Sequence, residues 1–539
     1  MSSNSKLRQS RDRWKIKASS GSAIQRNLRK EVKRLKLDRD YYKKAAVEAK
    51  KTQELPVSVL DKAHLVFLVF QLFLMARLGF RAVARTLAVL APYLGITKQP
   101  CTQTIINWVA RLSIIKLQQS LPKLQPLNGD PFSNGFLWII DTSIGLGGGK
   151  ILAVLALDVR HHQFNAGAPS LKNVYCLATA VAPSWTGIAI ADLLQQLIAV
   201  MGRPAAFLKD GGTDLEKAVA VLNERNFPIL SIDDISHKIA NLFKHEYGEH
   251  SMFAIFLSAC GKVSKNLKQT LLACLAPPKT STRSRFMNFH RLVQWADLVL
   301  KHSPVGRVSK GSVVEKLRTS LARLPECRNF ITHFLRDALP LLNCQKILKI
   351  DGLNNKTYHE CQTLLNSLPA SSSIRNGFLA WAEDQLTIAS TLKLVDQPLP
   401  VCSDVIESLF GVGKRHGVGE TKDAYQIAKR LPAECGKLIF ADAQRVLNVT
   451  VKCQNEILGT NHTLTKQRRE VLAHPGRLET LSIDNTSDTL ELISISKNRE
   501  KNLPTTCVSM IFEKRPGLEL QLKHRGDPPK NTPPPGLRG

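Results

Sequence analysis

The sequence predicts an α/β core built on a mixed five-stranded sheet, with a large all-α insertion and an N-terminal helical, helix-turn-helix-like region. Three observations predict it. Between Phe136 and His237 short apolar runs and amphipathic stretches alternate in the order β-β-β-α-β-α-β. From 238 to 400 strand alternation is lost and helical spacing takes over. Before 125 the chain reads as helix from about Ile24 to Lys50 and again over 57–118, and its first 52 residues carry 17 Lys and Arg against 5 Asp and Glu.

The 539 residues suffice for several units with a large core, and 43% hydrophobic with 22% charged residues is the profile of a soluble globular protein. The charge balance is unusual: 75 Lys and Arg stand against 44 Asp and Glu, a formal net charge of +31. A compact fold carrying that charge repels itself unless a polyanion neutralises it. Nucleic acid, whose phosphates release counterions to Lys and Arg, is the expected partner. The 11 cysteines form no CxxC pair and no Cys/His set with zinc spacing, so reduced thiols, mostly buried, are expected. The N-terminus lacks the apolar segment of a secretory signal. The most apolar stretch, HLVFLVFQLFLMA at 64–76, is too short to span a bilayer and reads as a buried helix. No membrane association and a cytoplasmic location, at the nucleoid if bacterial, are expected.

Residues 1–52 form a basic arm, helical from about Ile24 to Lys50, whose short stripe of Leu28, Val32 and Leu35 suits phosphate contact better than a stable zipper. Residues 53–125 hold GFRAVARTLAVLAPYLGI and KQPCTQTIINWVARLSIIKL, two helices joined near Gly95 to Pro100, the second capped by Thr102. In a helix-turn-helix the second helix enters the major groove by its N-terminal residues. Thr102, Gln103, Thr104 and Asn107 would meet base edges or phosphates, Arg111 a phosphate, and Trp108 and Val109 the core. The core itself spans 130–237 and 401–435. FLWIID, ILAVLALDV and NVYCLATAVA predict an antiparallel meander. A helix follows from Gly187 to about Met201. Then come strand PAAFLKD, helix TDLEKAVAVLNE capped by Thr213, and strand FPILSID. Residues 238–400 are the all-α insertion, and SDVIESLFGVGKRHG, capped by Ser403, returns the chain to the core as a helix. From 450 to 539 the sequence is polar and weakly patterned, ending in a Pro/Gly-rich tail that reads as disordered.

Three acids stand where burial would be costly without a purpose. Asp141 ends the run WII, Asp210 follows AFLK, and Glu407 lies in the first turns of the helix after the insertion. One strand-end Asp is commonly a turn residue. Two on one sheet repel each other unless a cation lies between them. Asp233 and Asp158 are the alternatives to Asp210 under a different strand register, and Asp214 reads as helix first-turn charge.

The order of the elements, with Asp141 on the first strand, Asp210 after the fourth and Glu407 on a later helix, resembles the retroviral-integrase and transposase superfamily with its RNase H-like fold. Glu407 and Lys414 reproduce the E-x6-K spacing of the insertion-sequence transposase signature, about two helical turns, although the Tyr and Arg that precede this Glu in many such families are absent. Asp234-Ile-Ser-His237 matches the [C/D]-x2-H element of hAT-like transposases, which also carry a long helical insertion before their Glu. The resemblance covers roughly 130–430. It implies a DDE-type transposase that cleaves transposon ends and joins them to target double-stranded DNA, acting as a homodimer or higher oligomer. It further implies that Asp141, Asp210 and Glu407 hold two Mg2+ ions, replaceable by Mn2+, and do the catalysis. Lys414, Arg415 and His416 would grip the DNA backbone, and His237 would touch a phosphate or orient a metal-binding group or, equally, serve as a plain helix-start histidine. Trp295 reads as helix core in preference to a base-stacking residue. Competing readings are an RNase H-like nuclease without strand transfer, a catalytically inactive or domesticated DNA-binding protein, and a coiled-coil scaffold, which leaves the α/β middle unexplained.

Overall fold

The computed structural model describes residues 10–12, 28–44, 60–124, 135–143, 149–159, 168–279, 285–393, 397–416, 423–458 and 472–473. Within the basic arm, 28–44 is helical and exposed, with Leu28, Val32 and Leu35 facing solvent. The rest of that expected helix and the Pro/Gly-rich tail lie outside the described residues.

Helix α1, Lys62–Phe70, starts at Asp61, whose carboxylate accepts the His64 N–H at 2.7 Å, and runs on through a π-turn at Gln71–Met75. Leu65, Val66, Val69, Phe70, Phe73 and Leu74 are buried, so the most apolar stretch of the chain is a core helix. Among the described residues no helix is long and apolar enough to cross a membrane. Helix α2, Phe80–Leu94, stops at Gly95, which takes the left-handed conformation (φ 60°) that a side chain would strain. Helix α3, Thr102–Leu124, follows after a short connection, with Trp108 and Val109 buried as expected. Thr102 is its first helical residue, so the cap position falls to Cys101, whose carbonyl accepts the Ile105 N–H.

The apolar faces of these helices do not close on one another alone. Ala433, Ala443 and Val446, more than three hundred residues on, complete their core. Lys116 of α3 donates to the Lys437 carbonyl and pairs with Asp442 at 2.8 Å, both side chains nearly or fully buried. Gln119 donates to the other Asp442 oxygen at 2.7 Å. An ion pair this deep holds because its hydrogen bonds are filled.

Five strands follow: β1 Phe136–Thr142, β2 Lys150–Asp158, β3 Val174–Ala182, β4 Ala206–Lys209 and β5 Leu230–Asp233. The sheet is mixed, in the order β3-β2-β1-β4-β5. β1 to β3 form the antiparallel meander, and β4 and β5 add in parallel to β1. β1 is central and covered on both sides, hence its unbroken apolar run. Phe136, Trp138 and Ile140 face helices α4 (Gly187–Met201) and α5 (Thr213–Glu224). Leu137 and Ile139 face the opposite way, into a core that continues through the helical insertion.

The insertion is helical where described: α6 Ile235–Tyr247, α7 Ser251–Leu267, α8 Phe289–Lys301, α9 Val313–Leu321, α10 Arg328–Asp351, α11 Asn355–Leu365 and α12 Ser373–Thr391, with only an isolated bridge between Leu353 and Leu399. Helix α12 covers the β5 edge, where the Gln385 side-chain oxygen accepts the Asp233 N–H at 3.3 Å, so this open strand is not left as a pairing template. Trp295 packs against the insertion core and donates its indole N–H to the Leu275 carbonyl at 3.1 Å. The chain then returns as α13 Asp404–His416, α14 Ala424–Ala428, a 3-10 turn at Leu431–Glu434, α15 Phe440–Asn448 and α16 Val451–Leu458.

No disulfide links the ten cysteines among the described residues, and seven of them are buried.

Candidate active site

Asp141 and Asp210 come together through strand register. Ile140 pairs with Lys209 in the parallel β1–β4 ladder, so Asp141, still paired with Ala153 of β2, and Asp210, the residue just past β4, stand side by side at the same end of the sheet. Both are half-buried. Asp141 accepts its neighbour's Thr142 N–H at 2.6 Å, and Asp210 accepts the Gly212 N–H at 3.1 Å. The two alternatives to Asp210 point elsewhere. Asp158 pairs with Phe136 at the opposite end of β1. Asp233 binds the Lys209 ammonium at 3.0 Å. Lys209 is itself buried and also pairs with Glu216 of α5, near Asp214 in that helix's first turn.

The helix after Asp210 starts one residue earlier than its sequence suggests. Gly212, not Thr213, holds the cap position, and Thr213 is helical. A Cβ at 212 would lie 2.9 Å from Oδ1 of Asp210. The carboxylate takes the room a capping side chain would need.

Glu407 projects from the first turns of α13, which packs against β1. The residue faces solvent, while its neighbours Val405, Ile406, Leu409 and Phe410 are buried. Further along, a Cβ at Gly413 would sit 2.6 Å from Leu431 and 2.9 Å from Ile427, so this glycine lets the helix approach the turn beyond α14 closely. Lys414 is half-buried; the side chains of Arg415 and His416 lie outside the described residues.

His237 stands between these acids. Its Nε2 is 3.9 Å from Asp210, and its Nδ1 is 3.1 Å from Asp234, the buried cap residue of α6. Burial disfavours the imidazolium, but the hydrogen bond and charge of Asp234, with Asp210 and Glu407, outweigh it and raise the His237 pKa to about 9. The Asp234 carboxyl moves the other way. Burial raises it, and its bonds to His237 and Ser403 more than compensate, holding it below the usual carboxylate range.

Asp141 is raised to about 7, first by burial and then by the charge of Asp210; Glu407 adds to this, while the Thr142 N–H and His237 oppose it. Glu407 is raised as well, by partial removal from water, Asp404 and Asp234, against His237 and Lys349. The acids are therefore close enough to act on one another. Among the described residues no group of three or more His, Cys, Asp or Glu stands gathered as a metal-holding cluster.

The expected DNA-reading residues divide. Gln103 is exposed and donates to Asn107 at 3.1 Å, and Thr102 is half-buried. Asn107 and Arg111 are engaged by Gln454 of α16, at 3.3 and 3.1 Å. This C-terminal helix covers part of the face expected to meet bases. Sequence reasoning missed that cover and the bond from Asp234 to Ser403, because each joins residues far apart in the chain.

No family model matches the chain, and no curated protein matches it at a significant level.

Proposed function

We propose that this chain is a DDE-type transposase with an RNase H-like core, an enzyme that cuts double-stranded DNA at element ends and joins them to a target. The observation that carries this reading is the register-fixed pair Asp141 and Asp210 on neighbouring parallel strand ends, with the Glu407 helix packed on the same strand β1. The strand order β3-β2-β1-β4-β5, with three antiparallel strands followed by two parallel ones, supports the same assignment.

The donor set suits a hard divalent cation: three carboxylates, the deepest of them repelled by the other two. Asp141, Asp210 and Glu407 would hold two Mg2+ ions, or Mn2+, which supply charge neutralisation and an acidified water at the phosphodiester. The protein's own groups prepare the site. Burial and the charge of Asp210 hold the Asp141 carboxyl up at about 7, so a positive charge beside it would be favourable. His237 places a positive charge beside Asp210, where a phosphate oxygen would gain from it. Lys414, two turns along from Glu407 on α13, would take the DNA backbone. The net charge of +31 supports the DNA partner.

The test is incubation of the purified chain with labelled DNA carrying the sequences that flank its gene, in Mg2+ or Mn2+. Nicked ends and joined target products are expected, and Asp141→Asn, Asp210→Asn or Glu407→Gln should reduce both to background while DNA binding persists. Cleavage without joining would assign an RNase H-like nuclease. Binding without cleavage would assign an inactive or domesticated DNA-binding protein.

A further inference from the structure

We propose that Asp234 is a positioning residue whose single buried carboxylate clasps the start of the Glu407 helix to the sheet edge bearing Asp141 and Asp210, so that this clasp sets the approach of the third acid. The inference rests on the carboxylate site read above.

As a helix cap, Asp234 needs one oxygen. Its Oδ1 does that work, accepting the His237 N–H at 2.9 Å and facing His237 Nδ1 at 3.1 Å. The second oxygen is committed elsewhere. Oδ2 accepts both the backbone N–H of Ser403 at 2.7 Å and its hydroxyl at 2.9 Å, across 169 residues of sequence. Ser403 sits immediately before α13, and Glu407 is four residues on. The direction of the first turn is therefore tied to the base of α6. A carboxylate that is 1% exposed is costly to bury, and four donor contacts from two elements offset that cost.

Parallel ties run beside it. The Ile235 N–H donates to the Val401 carbonyl at 2.9 Å. From α10, Lys349 holds Asp404 at 2.7 Å and Gln345 donates to Ser236 at 3.0 Å, so the insertion braces both sides of the same joint. Supports of this kind around metal-binding groups typically change metal affinity about 10–100-fold when removed.

The experiment compares the full chain with Asp234→Ala and Ser403→Ala by iron-directed backbone cleavage, with Fe2+, ascorbate and peroxide and fragments mapped by mass spectrometry. Hydrogen exchange at residues 404–408 is measured in parallel without metal. The wild type should be cut near Asp141, Asp210 and Glu407. Asp234→Ala should keep the first two cuts, lose the third, and exchange at 404–408 about fivefold faster or more, the size expected for one or two lost hydrogen bonds. Cutting and exchange identical to wild type would overturn the clasp. If the wild type is not cut at all, the metal reading fails, and exchange alone decides the clasp: faster supports it, unchanged overturns it. If Asp234→Ala does not fold, Ser403→Ala, which removes one donor only, carries the same comparison with smaller effects.

Discussion

The ammonium of Lys209 lies 3.0 Å from the carboxylate of Asp233, and the two residues are paired across β4 and β5. That contact separates two acids that look alike in sequence. Asp233 is satisfied by a buried cation of its own sheet. Asp210, one residue past Lys209, is turned toward Asp141 and His237 instead.

Asp141→Asn is expected to stabilise the metal-free protein above neutral pH. Unfolded, Asp141 loses its proton near 3.8; folded, it keeps it up to about 7. The folded state binds more protons in between, so stability falls as pH rises across that interval and the full cost is present above 7. Removing the ionisable group should recover about 1–2 kcal/mol, less than the whole shift would give because the site is partly solvated. Thermal melts in chelator at pH 5 and pH 8 check this, with a larger gain at pH 8. In Mg2+ the order should reverse.

His237→Gln should act with the opposite pH dependence. The raised pKa means that the histidine contributes stability fully below about 6.5 and loses it as pH rises through about 9. The variant should lower the melting temperature clearly at pH 6 and little at pH 10. An equal loss at both pH values would show that the imidazole acts by packing alone.

Gly212→Ala should impair the site more than the fold. Its Cβ would push on Oδ1 of Asp210, while position 212 has an extended backbone that alanine adopts without strain. The expected outcome is a melting temperature near that of the wild type, with Mg2+ affinity, read by calorimetry, about tenfold weaker.

Lys116→Met or Asp442→Leu should each destabilise the protein by about 3–5 kcal/mol, because each leaves a buried charge without its partner. The double variant should lose less than either single one. Urea unfolding of all four proteins gives the cycle.

Much of the α/β core was legible because its information is local. The run FLWII ends at Asp141, and the strand, helix and insertion periods follow one another in order. The helical setting of Glu407 was legible from the cap at Ser403 and the pattern that follows it. The helix starts near Thr102 and Thr213 were each misplaced by one residue, since capping preference favours a hydroxyl while at Gly212 a neighbouring carboxylate occupies the space. What could not be read was contact between distant segments. Asn107 and Arg111 have the chemistry of base readers, and nothing near them in sequence announces Gln454. Asp234 looked like part of a short motif; its second partner, Ser403, is visible only once the chain is folded.

The core shared by α1 to α3 with Ala433, Ala443 and Val446 has a consequence for how the molecule is made. Lys116 leaves the ribosome 326 residues before Asp442. At cellular elongation rates of about 5–20 residues per second, the first helices wait roughly 15–65 s for the segment that covers them. Through that interval the part of this core that Ala433, Ala443 and Val446 cover stays open on the growing chain.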